Sequence, residues 1–384
     1  MKKKLIYVSF IKLTDKVSRD WYIDYSIAKG ALVEYWDIVS LVREEHEEHG
    51  ALCPKYLRHI KTYNEYEGLI RQTENQNAVY VMLISYAWRF RKPYRILSKC
   101  NCKMVFLSWG NMPTTSSAPR WQRVIYRFFS NPVKFYNTVV NEIFGVVYRK
   151  INAVKRFDIV FASGKILNSS QQFSNRIVSF NCIDFDNFKR VELSDKKVIN
   201  GKYAVLIDSN NPYHSDSGIT GSKRLNADNY FKSLNRFMGL IEKKYDLKVV
   251  IAANPKSKYG NEKYENREFY RLQTAELVKN AEFVIIHQST ALSYAVLNVK
   301  PVIFMYTDEM LQLYRHSSIH DMEGLASYLN ASVYNVDQIT DGSQVEVPIP
   351  NRDRYYAYKY DFLTSQESEN ISSAEIFWRE IEKL

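Results

Sequence analysis

Short apolar runs alternate with amphipathic helical segments along this chain, and no other feature limits its fold as strongly. One series of runs extends from Leu5–Phe10 to Arg176–Phe180, and a second extends from Tyr203–Ile207 to Pro301–Tyr306. Strands that are separated by helices form βαβ units, in which the strands lie parallel in one sheet. The sequence therefore predicts an α/β protein with two successive parallel sheets.

The spacing of apolar residues predicts individual elements in both series. In the first half, strands are expected at Leu5–Phe10, Ala31–Ser40, Ala78–Ser85, Met104–Ser108, Asp158–Ala162 and Arg176–Phe180, and helices at Val17–Lys29 and Trp88–Lys99. In the second half, strands are expected at Tyr203–Ile207, Leu247–Ala253, Glu282–His287 and Pro301–Tyr306, and helices at Asn226–Tyr245, Glu265–Asn280 and Thr290–Asn298. The polar, charged stretch Arg43–Asn75 has no predicted element.

The length of 384 residues suits two domains, because a typical domain has about 150 residues. The segment Ile183–Lys202 loses the apolar periodicity and carries several acidic residues and lysines, so we expect it to link the domains. The expected domains are residues 1–182 and 203–384, with the linker at 183–202. An amphipathic helix is expected at Ser372–Leu384, where Ser372 and Glu375 have the spacing of a capping box.

The formal net charge of +11 indicates an anionic partner: a nucleic acid, an anionic lipid or a phosphorylated small molecule. Four cysteines without a CxxC pair do not form a disulfide framework, which fits a reducing cytoplasm. The first apolar run, Leu5–Ile11, has no small-residue cleavage site close behind it, and no run approaches the length of a membrane span. We therefore expect a cytoplasmic protein with no membrane-spanning helix.

Polar loops follow three predicted strands of the second half, at the sheet edge where open α/β sheets bind ligands. The first loop begins with Asp208, directly after an apolar strand, and also contains His214. A carboxylate at the end of a rigid strand suits a catalytic base or a hydroxyl-binding group, although a turn-capping Asp208 and a solvated His214 explain the same residues. The second loop contains Asn254, Pro255 and Lys256, which suit a phosphate and equally an ordinary polar turn.

The third loop joins a strand to a helix and contains His287, Ser289 and Thr290. Backbone N–H groups at a helix start, together with two hydroxyl groups, are suited to bind an anion. Ser289 and Thr290 would also serve as ordinary N-caps. Three such loops in order on one sheet favour a phosphate-containing ligand.

The order of an acidic loop, an X-Pro-basic loop and the pattern S-T-A-x-x-x-A-x-x-x-x-K-P-V resembles GT-B-type glycosyltransferases of bacterial surface polysaccharides, the O-antigens and capsules. Among these, the chain is most similar to the sialyl- and Kdo-transferase-like groups that use CMP-activated acids. The resemblance covers residues 157–304 and implies two facing Rossmann-like domains with a C-terminal helix. It also implies a nucleotide-sugar donor.

The resemblance further implies roles for the loop residues. The implied site has a catalytic carboxylate, a dipeptide at the nucleotide phosphate and a hydroxyl pair at the same phosphate, namely Asp208, Asn254-Pro255, and Ser289 with Thr290. Asn254 departs from the His of the family pattern, and an amide cannot become cationic. Lys256 or His287 would then supply the positive charge. With no secure metal motif, we expect metal-independent transfer and no cofactor.

A basic, aromatic segment lies between Thr114 and Arg156, where eight basic residues face one acid, Glu142. The residues expected to contact a membrane are Arg120, Trp121, Arg123, Arg127, Phe128 and Lys134. A basic amphipathic helix with large aromatic residues suits an anionic membrane surface, and a packed surface helix of the first domain is the alternative. No nucleic-acid-binding module accompanies the charge, so we do not expect a nucleic-acid partner.

These inferences predict a cytoplasmic glycosyltransferase, peripheral to the inner membrane, that moves a sugar from a nucleotide-activated donor to a lipid-linked surface-polysaccharide acceptor. The resemblance implies a CMP-activated acidic sugar as the donor. The second domain would bind the donor and the first the acceptor. Two alternatives stay open. One is a metal-dependent, single-sheet (GT-A-like) transferase centred on Asp184 and Asp186; the other is a non-catalytic scaffold that binds a membrane or nucleic acid.

Overall fold

The computed structural model describes residues 2–42, 52–108, 132–167, 169–194, 197–213 and 224–384. The chain forms two compact α/β units. One contains the described residues up to Ile183 together with Thr364–Leu384, and the other contains the described residues of Asp184–Leu363. Each unit has one sheet, and the strand pairs in both sheets are parallel. The predicted pair of parallel sheets is therefore confirmed.

The first unit has a seven-stranded sheet with helices between its strands. Its strands are β1 (Lys4–Ser9), β2 (Leu32–Asp37), β3 (Leu57–His59), β4 (Val79–Met82), β5 (Lys103–Ser108), β6 (Phe157–Ser163) and β7 (Ser174–Phe180). Its helices are α1 (Asp15–Asp20), α2 (Ile23–Ala28), α3 (Val39–Val42), α4 (Tyr63–Arg71), α5 (Thr73–Gln76), α6 (Arg91–Lys99), α7 (Pro132–Lys150) and α8 (Ser169–Gln172). The strand order β3-β2-β1-β4-β5-β6-β7 is Rossmann-like.

Two parts of the first unit differ from the sequence prediction. The single helix expected at Val17–Lys29 is divided into α1 and α2 at Tyr22, whose φ of 59° lies in the left-handed region. The stretch Arg43–Asn75 contains β3, α4 and most of α5, where no element was expected. Strand β3 has three residues and two of them are exposed, so it lacks an apolar run that would reveal it.

The second unit repeats the arrangement with six strands. The strands are β8 (Tyr203–Ile207), β9 (Lys248–Ala253), β10 (Phe269–Arg271), β11 (Val284–Ile286), β12 (Val302–Tyr306) and β13 (Ser332–Asn335). The helices are α9 (Ile183–Glu192), α10 (Ala227–Tyr245), α11 (Thr274–Asn280), α12 (Leu292–Leu297), α13 (Asp308–Tyr314), α14 (His320–Leu329) and α15 (Arg352–Tyr358). The strand order β10-β9-β8-β11-β12-β13 reverses direction between β8 and β11.

The second unit corrects two expectations. Helix α9 occupies the first part of the expected linker Ile183–Lys202, because Phe185 and Val191 are buried and hold it in place. The helix expected at Glu265–Asn280 is instead strand β10 followed by helix α11, because Phe269–Arg271 pairs with β9 at the edge of the sheet.

The C-terminal segment belongs to the first unit, although the sequence assigned it to the second domain. Helix α16 (Ser373–Glu382) forms where a helix was expected, and Ser372 caps it. Its Ile376, Phe377 and Ile381 are each at most 2% exposed, and they pack into the core of the first unit. The division of the chain therefore differs from the expected boundaries at 182 and 203.

The longest described helices are α7 and α10, with 19 residues each. Helix α10 begins after Asn226, whose side chain accepts a hydrogen bond from the backbone N–H of Asn229 at 3.0 Å. It buries a face that includes Phe231, Leu234 and Phe237. Across the described ranges, none of the helices combines enough length with enough apolar character to span a bilayer.

Candidate active site

The loops after β8, β9 and β11 lie side by side, because these three strands are neighbours and all parallel. They begin with Asp208, Asn254 and His287 respectively. The sheet order reverses between β8 and β11, and ligands of open α/β sheets bind outside the carboxyl ends of strands at such a point. The topology thus brings together the three loops that the sequence singled out.

The Asp208 carboxylate is buried in this edge, with 4% of the residue exposed. Its Oδ1 accepts a hydrogen bond from the backbone N–H of Asn210 at 2.8 Å. Its Oδ2 accepts hydrogen bonds from the Tyr259 hydroxyl at 2.8 Å and from the backbone N–H of Asn254 at 3.3 Å. Through these bonds the carboxylate links the β8 loop to the β9 loop. A proton-abstracting role, expected from the sequence, fits this environment poorly.

Two buried tyrosines surround the carboxylate. Burial, with the negative charge of Asp208 as the second cause, raises the pKa of Tyr259 and of Tyr230 well above the ordinary value. Both hydroxyl groups therefore remain protonated near neutral pH. They serve as hydrogen-bond donors inside the site.

The His287 imidazole is 2% exposed and held at both nitrogens. Nδ1 lies 2.6 Å from the carbonyl oxygen of Met305, and Nε2 lies 2.9 Å from the Tyr230 hydroxyl. A carbonyl only accepts, so Nδ1 carries the proton and Nε2 accepts from Tyr230. Burial lowers the pKa of His287 from its ordinary 6.5 to about 4. The side chain is neutral at pH 7, which corrects the expectation that it supplies positive charge.

The neutral His287 makes the stability of the protein sensitive to acid. Because its pKa is lower in the folded state than in the unfolded chain, the unfolded chain takes up the proton first as the pH falls. This contribution to the free energy of unfolding is complete above about pH 6.5 and is lost progressively toward about pH 4, up to about 3 kcal/mol. Denaturant unfolding of wild type and His287→Gln across this range should show a weaker pH dependence in the variant. Equal pH dependence in both proteins would contradict the assignment.

The β9 loop carries the predicted Asn254, Pro255 and Lys256 beside Asp208. The Asn254 side chain accepts a hydrogen bond from the backbone N–H of Lys256 at 2.9 Å, while Pro255 and Lys256 are exposed. Arg271, at the end of β10, donates to the Tyr259 carbonyl at 2.6 Å and braces the loop from the other side. The sequence did not suggest Arg271, because that part of the chain was expected to be helical.

The predicted hydroxyl pair lies just before α12. The Ser289 hydroxyl accepts a hydrogen bond from the backbone N–H of Ala291 at 3.3 Å. Thr290 is exposed, and its carbonyl accepts hydrogen bonds from the backbone and side chain of Ser293. The pair thus has the position that the sequence predicts, at the start of a helix of six residues.

Two consecutive residues after Asp208 contain buried polar atoms that have no hydrogen-bond partner among the residues that the structure describes. They are the Ser209 hydroxyl oxygen and Oδ1 of Asn210, whereas the next side chain, Asn211, hydrogen-bonds Tyr230. Ser209 is 8% exposed and Asn210 6%, and Asn210 has a φ of 53°. An unsatisfied buried polar group costs about 1–3 kcal/mol, so two in a row indicate a site shaped for a polar ligand. These two residues were not among the predicted site residues, although the run Asp-Ser-Asn-Asn directly after a strand contained the information.

A cavity of about 480 Å³ opens at the same edge of the second unit. It adjoins the site through Tyr230, which also bonds His287. Its lining residues come from α10, from the loop and helix after β12 and from the loop after β13, namely Asn229, Tyr230, Lys232, Ser233, Arg236, Thr307, Asp308, Glu309, Gln312 and Asp337. The cavity therefore offers both acidic and basic groups to a ligand.

The structure does not bring the other predicted residues that it describes into this site. His214 and the membrane residues Arg120, Trp121, Arg123, Arg127 and Phe128 lie outside the described residues, and Lys134 lies in α7. Asp184 and Asp186 lie in the first turn of α9, where residues two apart point to different sides of a helix. The two-sheet architecture also contradicts the single-sheet alternative that depended on this pair. In the described ranges, no cluster of three or more His, Cys, Asp or Glu side chains could hold a metal ion.

The sequence matches no protein-family model and no curated protein. Several solved structures are similar to this chain over nearly their whole length. The calicheamicin glycosyltransferase CalG4 has a TM-score of 0.50 and 10% identity, covering 100% of this chain and 94% of its own. The wall teichoic acid polymerase TagF has a TM-score of 0.49 and 12% identity, covering 99% and 89%. The UDP-GlcNAc 2-epimerase of Methanocaldococcus jannaschii has a TM-score of 0.48 and 13% identity, covering 100% of both chains.

The likeness to CalG4, together with the two Rossmann-like sheets, gives this chain the GT-B fold. The fold class that the sequence predicted is therefore confirmed. Unrelated activities occur on one fold, so function must be argued from the site.

Proposed function

We propose that this chain is a glycosyltransferase that moves a sugar from a nucleotide-activated donor to a lipid-linked acceptor during synthesis of a bacterial surface polysaccharide. The observation that carries the proposal is the pair of buried polar atoms at Ser209 and Asn210 that have no partner in the described part of the chain. They lie at the strand-order reversal of the second unit, where such sheets bind ligands. The GT-B fold that the chain shares with CalG4 supports the same conclusion.

In this proposal the second unit binds the donor. The cavity beside Tyr230 would take the nucleoside, and the β8 loop would contact the phosphate or sugar. The leaving phosphate needs neutralisation, which basic side chains and helix-start N–H groups provide without a metal. Lys256, on the exposed tip of the β9 loop, and the residues Ser289 and Thr290 before α12 are the proposed groups. Asp208 is proposed to position the β8 and β9 loops. The proposed donor is a CMP-activated acidic sugar.

A base for the acceptor hydroxyl is proposed in the first unit. His59 ends β3 and Asp37 ends β2, and Nδ1 of His59 lies 3.0 Å from Oδ2 of Asp37. The carboxylate is 3% exposed and also accepts the backbone N–H of Val39 at 3.0 Å, whereas the imidazole is 60% exposed. A buried carboxylate orients the ring and leaves Nε2 available to take a proton. His214, the other catalytic candidate of the Asp208 loop in the sequence, remains the alternative.

Replacing His59 by glutamine should lower the transfer rate by about a hundredfold or more, the effect expected for a lost general base. Nucleotide affinity should stay at the wild-type level, because His59 and the donor loops belong to different units. Steady-state transfer assays combined with nucleotide titrations measure both quantities. A His59→Gln enzyme with wild-type turnover would exclude this residue as the base.

The proposed donor class can be tested by binding and by turnover. Thermal unfolding should be measured with CMP, UDP, GDP and dTDP, followed by hydrolysis of the corresponding nucleotide sugars in the presence and absence of a chelator. We expect one nucleotide to stabilise the protein and chelator to leave hydrolysis unchanged. Failure of all four to bind would favour the non-catalytic scaffold. Loss of activity with chelator would favour a metal-dependent enzyme.

The proposed acceptor places the enzyme at the cytoplasmic face of the inner membrane. The sequence-based contact residues Arg120, Trp121, Arg123, Arg127, Phe128 and Lys134 form part of this proposal. Their basic and aromatic character is the support for it, since such segments favour anionic lipid surfaces.

A further inference from the structure

Helix α7 exposes an unusual amount of apolar surface. Tyr136, Ile143, Val147 and Ile151 are exposed by 67%, 54%, 40% and 63%. Successive members are seven, four and four residues apart, so they form one stripe along the helix and the turn that follows it. Val146 and Phe144, exposed by 41% and 44%, widen the stripe on its two sides. Exposed apolar patches of this kind mark surfaces that contact a partner or a membrane.

The side of α7 next to the stripe is attached to the first unit. Tyr148 packs edge-on against Trp88, with ring centroids 4.6 Å apart, and Phe144 lies 4.9 Å from the same ring. A Cβ atom at Gly145 would lie 4.0 Å from the backbone nitrogen of Trp88, so the helix approaches the preceding segment closely. The helix is therefore docked along the side that carries Phe144, Gly145 and Tyr148, while Ile143, Val147 and Ile151 stay exposed.

Cations flank the stripe on one side through α6. Lys92, Arg95 and Lys99 are exposed and lie three and four residues apart, on the face opposite the buried Tyr94 and Leu97. The Arg95 guanidinium lies 5.8 Å from the centre of the Tyr148 ring, which brings this basic face next to α7. The sequence from Tyr86 to Ser108 has six basic residues and no acidic residue.

A basic groove flanks the stripe on its other side. The groove has a volume of about 360 Å³ and is lined by Val146, Arg149, Lys150, Arg156, Gln172 and Phe173. Lys150 is exposed and lies within the helical arc of the stripe itself. An apolar stripe between two basic borders is the pattern of a helix that lies in the plane of an anionic membrane surface.

We propose that α7 is an interfacial membrane helix, with its apolar stripe among the lipid chains and the basic borders at the anionic headgroups. A bilayer of anionic lipid supplies both complementary properties, the apolar depth and the negative charge, over one continuous surface. Membrane docking through α7 requires no transfer activity. The inference adds a surface to the proposed function, whose lipid-linked acceptor lies in the same membrane.

The test is co-sedimentation of the intact protein with vesicles of phosphatidylglycerol and phosphatidylcholine, compared with phosphatidylcholine alone. Wild type should bind the anionic vesicles and release them as salt rises. The triple variant Ile143→Ser, Val147→Ser, Ile151→Ser should bind at least about tenfold more weakly. The triple variant Lys92→Gln, Arg95→Gln, Lys99→Gln should also bind more weakly and show less salt dependence.

The matched control replaces three apolar residues of the second unit that are even more exposed, Leu193, Leu272 and Ile349, by serine. This control should sediment like wild type. The inference is overturned if wild type ignores anionic vesicles at low salt, or if the α7 variant binds them unchanged. It is also overturned if the α7 substitutions instead dissociate a dimer, since the stripe would then be covered by a second copy. The α7 variant should bind nucleotide normally, so its result is separable from a failure of the proposed transferase activity.

Discussion

Replacing Ser209 by alanine together with Asn210 by glycine should weaken nucleotide-sugar binding by about tenfold to a hundredfold. A hydrogen bond from the Ser209 hydroxyl to a charged phosphate is worth about 1.5–3 kcal/mol, and Oδ1 of Asn210 can accept a hydrogen bond from a hydroxyl group of the sugar or ribose; neither atom has a partner among the described residues. Glycine keeps the left-handed backbone at position 210, whose φ is 53°, and removes only the amide. Because two unsatisfied buried groups disappear, the free energy of unfolding should stay equal or rise. Calorimetric titration and denaturant unfolding measure the two quantities.

A serine that only stabilises the fold should show the opposite result when it is replaced, namely lower stability with unchanged nucleotide affinity. Ser174 belongs to the first unit, is 7% exposed, and its hydroxyl donates to the Gln171 carbonyl at 3.1 Å. Ser174→Ala should lower stability by about 1 kcal/mol and leave nucleotide affinity unchanged. If the double variant behaves like this control, the β8 loop is not the ligand site.

Replacing Phe377 by alanine should lower the free energy of unfolding of the first unit by about 3–5 kcal/mol. The side chain is 0% exposed, and its ring centroid lies 5.3 Å from that of Phe161 and 5.7 Å from that of Tyr22. Truncation leaves a cavity among these rings that the surrounding strands cannot close. Denaturant unfolding followed by tryptophan fluorescence should show an early transition for one unit.

Phe377→Leu is the matched control, because it keeps most of the volume and should cost less than about 1.5 kcal/mol. Equal, small effects of both substitutions would mean that α16 is not part of the first unit's core.

The long strands were predictable because each carries a buried apolar run that a single sequence displays. Leu5–Phe10 and Tyr203–Ile207 are examples, and both appear within one residue of their predicted bounds as β1 and β8. The edge strands β3 and β10 were not predicted, since three residues at a sheet edge are partly exposed and contain no complete apolar run. Tyr22 divides a predicted helix through its backbone conformation, which apolar spacing does not reveal.

The positions of the site residues were predictable, but their chemical states were not. Asp208, Asn254 and His287 follow strands whose βαβ connections put their carboxyl ends at one sheet edge, and the strand order makes the three strands neighbours. The neutrality of His287 depends on burial and on Tyr230, a residue far away in sequence and on another element. The structural role of the Asp208 carboxylate likewise depends on its hydrogen bond from Tyr259, which lies in the β9 loop. Such facts follow from tertiary packing, which a list of local motifs does not contain.

The return of Thr364–Leu384 to the first unit has a consequence for synthesis on the ribosome. The strands β1 to β7 emerge early, yet one face of their sheet is covered by Ile376, Phe377 and Ile381. At about 5–20 residues per second, translation of the intervening second unit takes on the order of ten seconds or more. During that interval the first unit exposes the apolar surface that α16 later covers. A nascent-chain chaperone is therefore expected to occupy this face until α16 arrives.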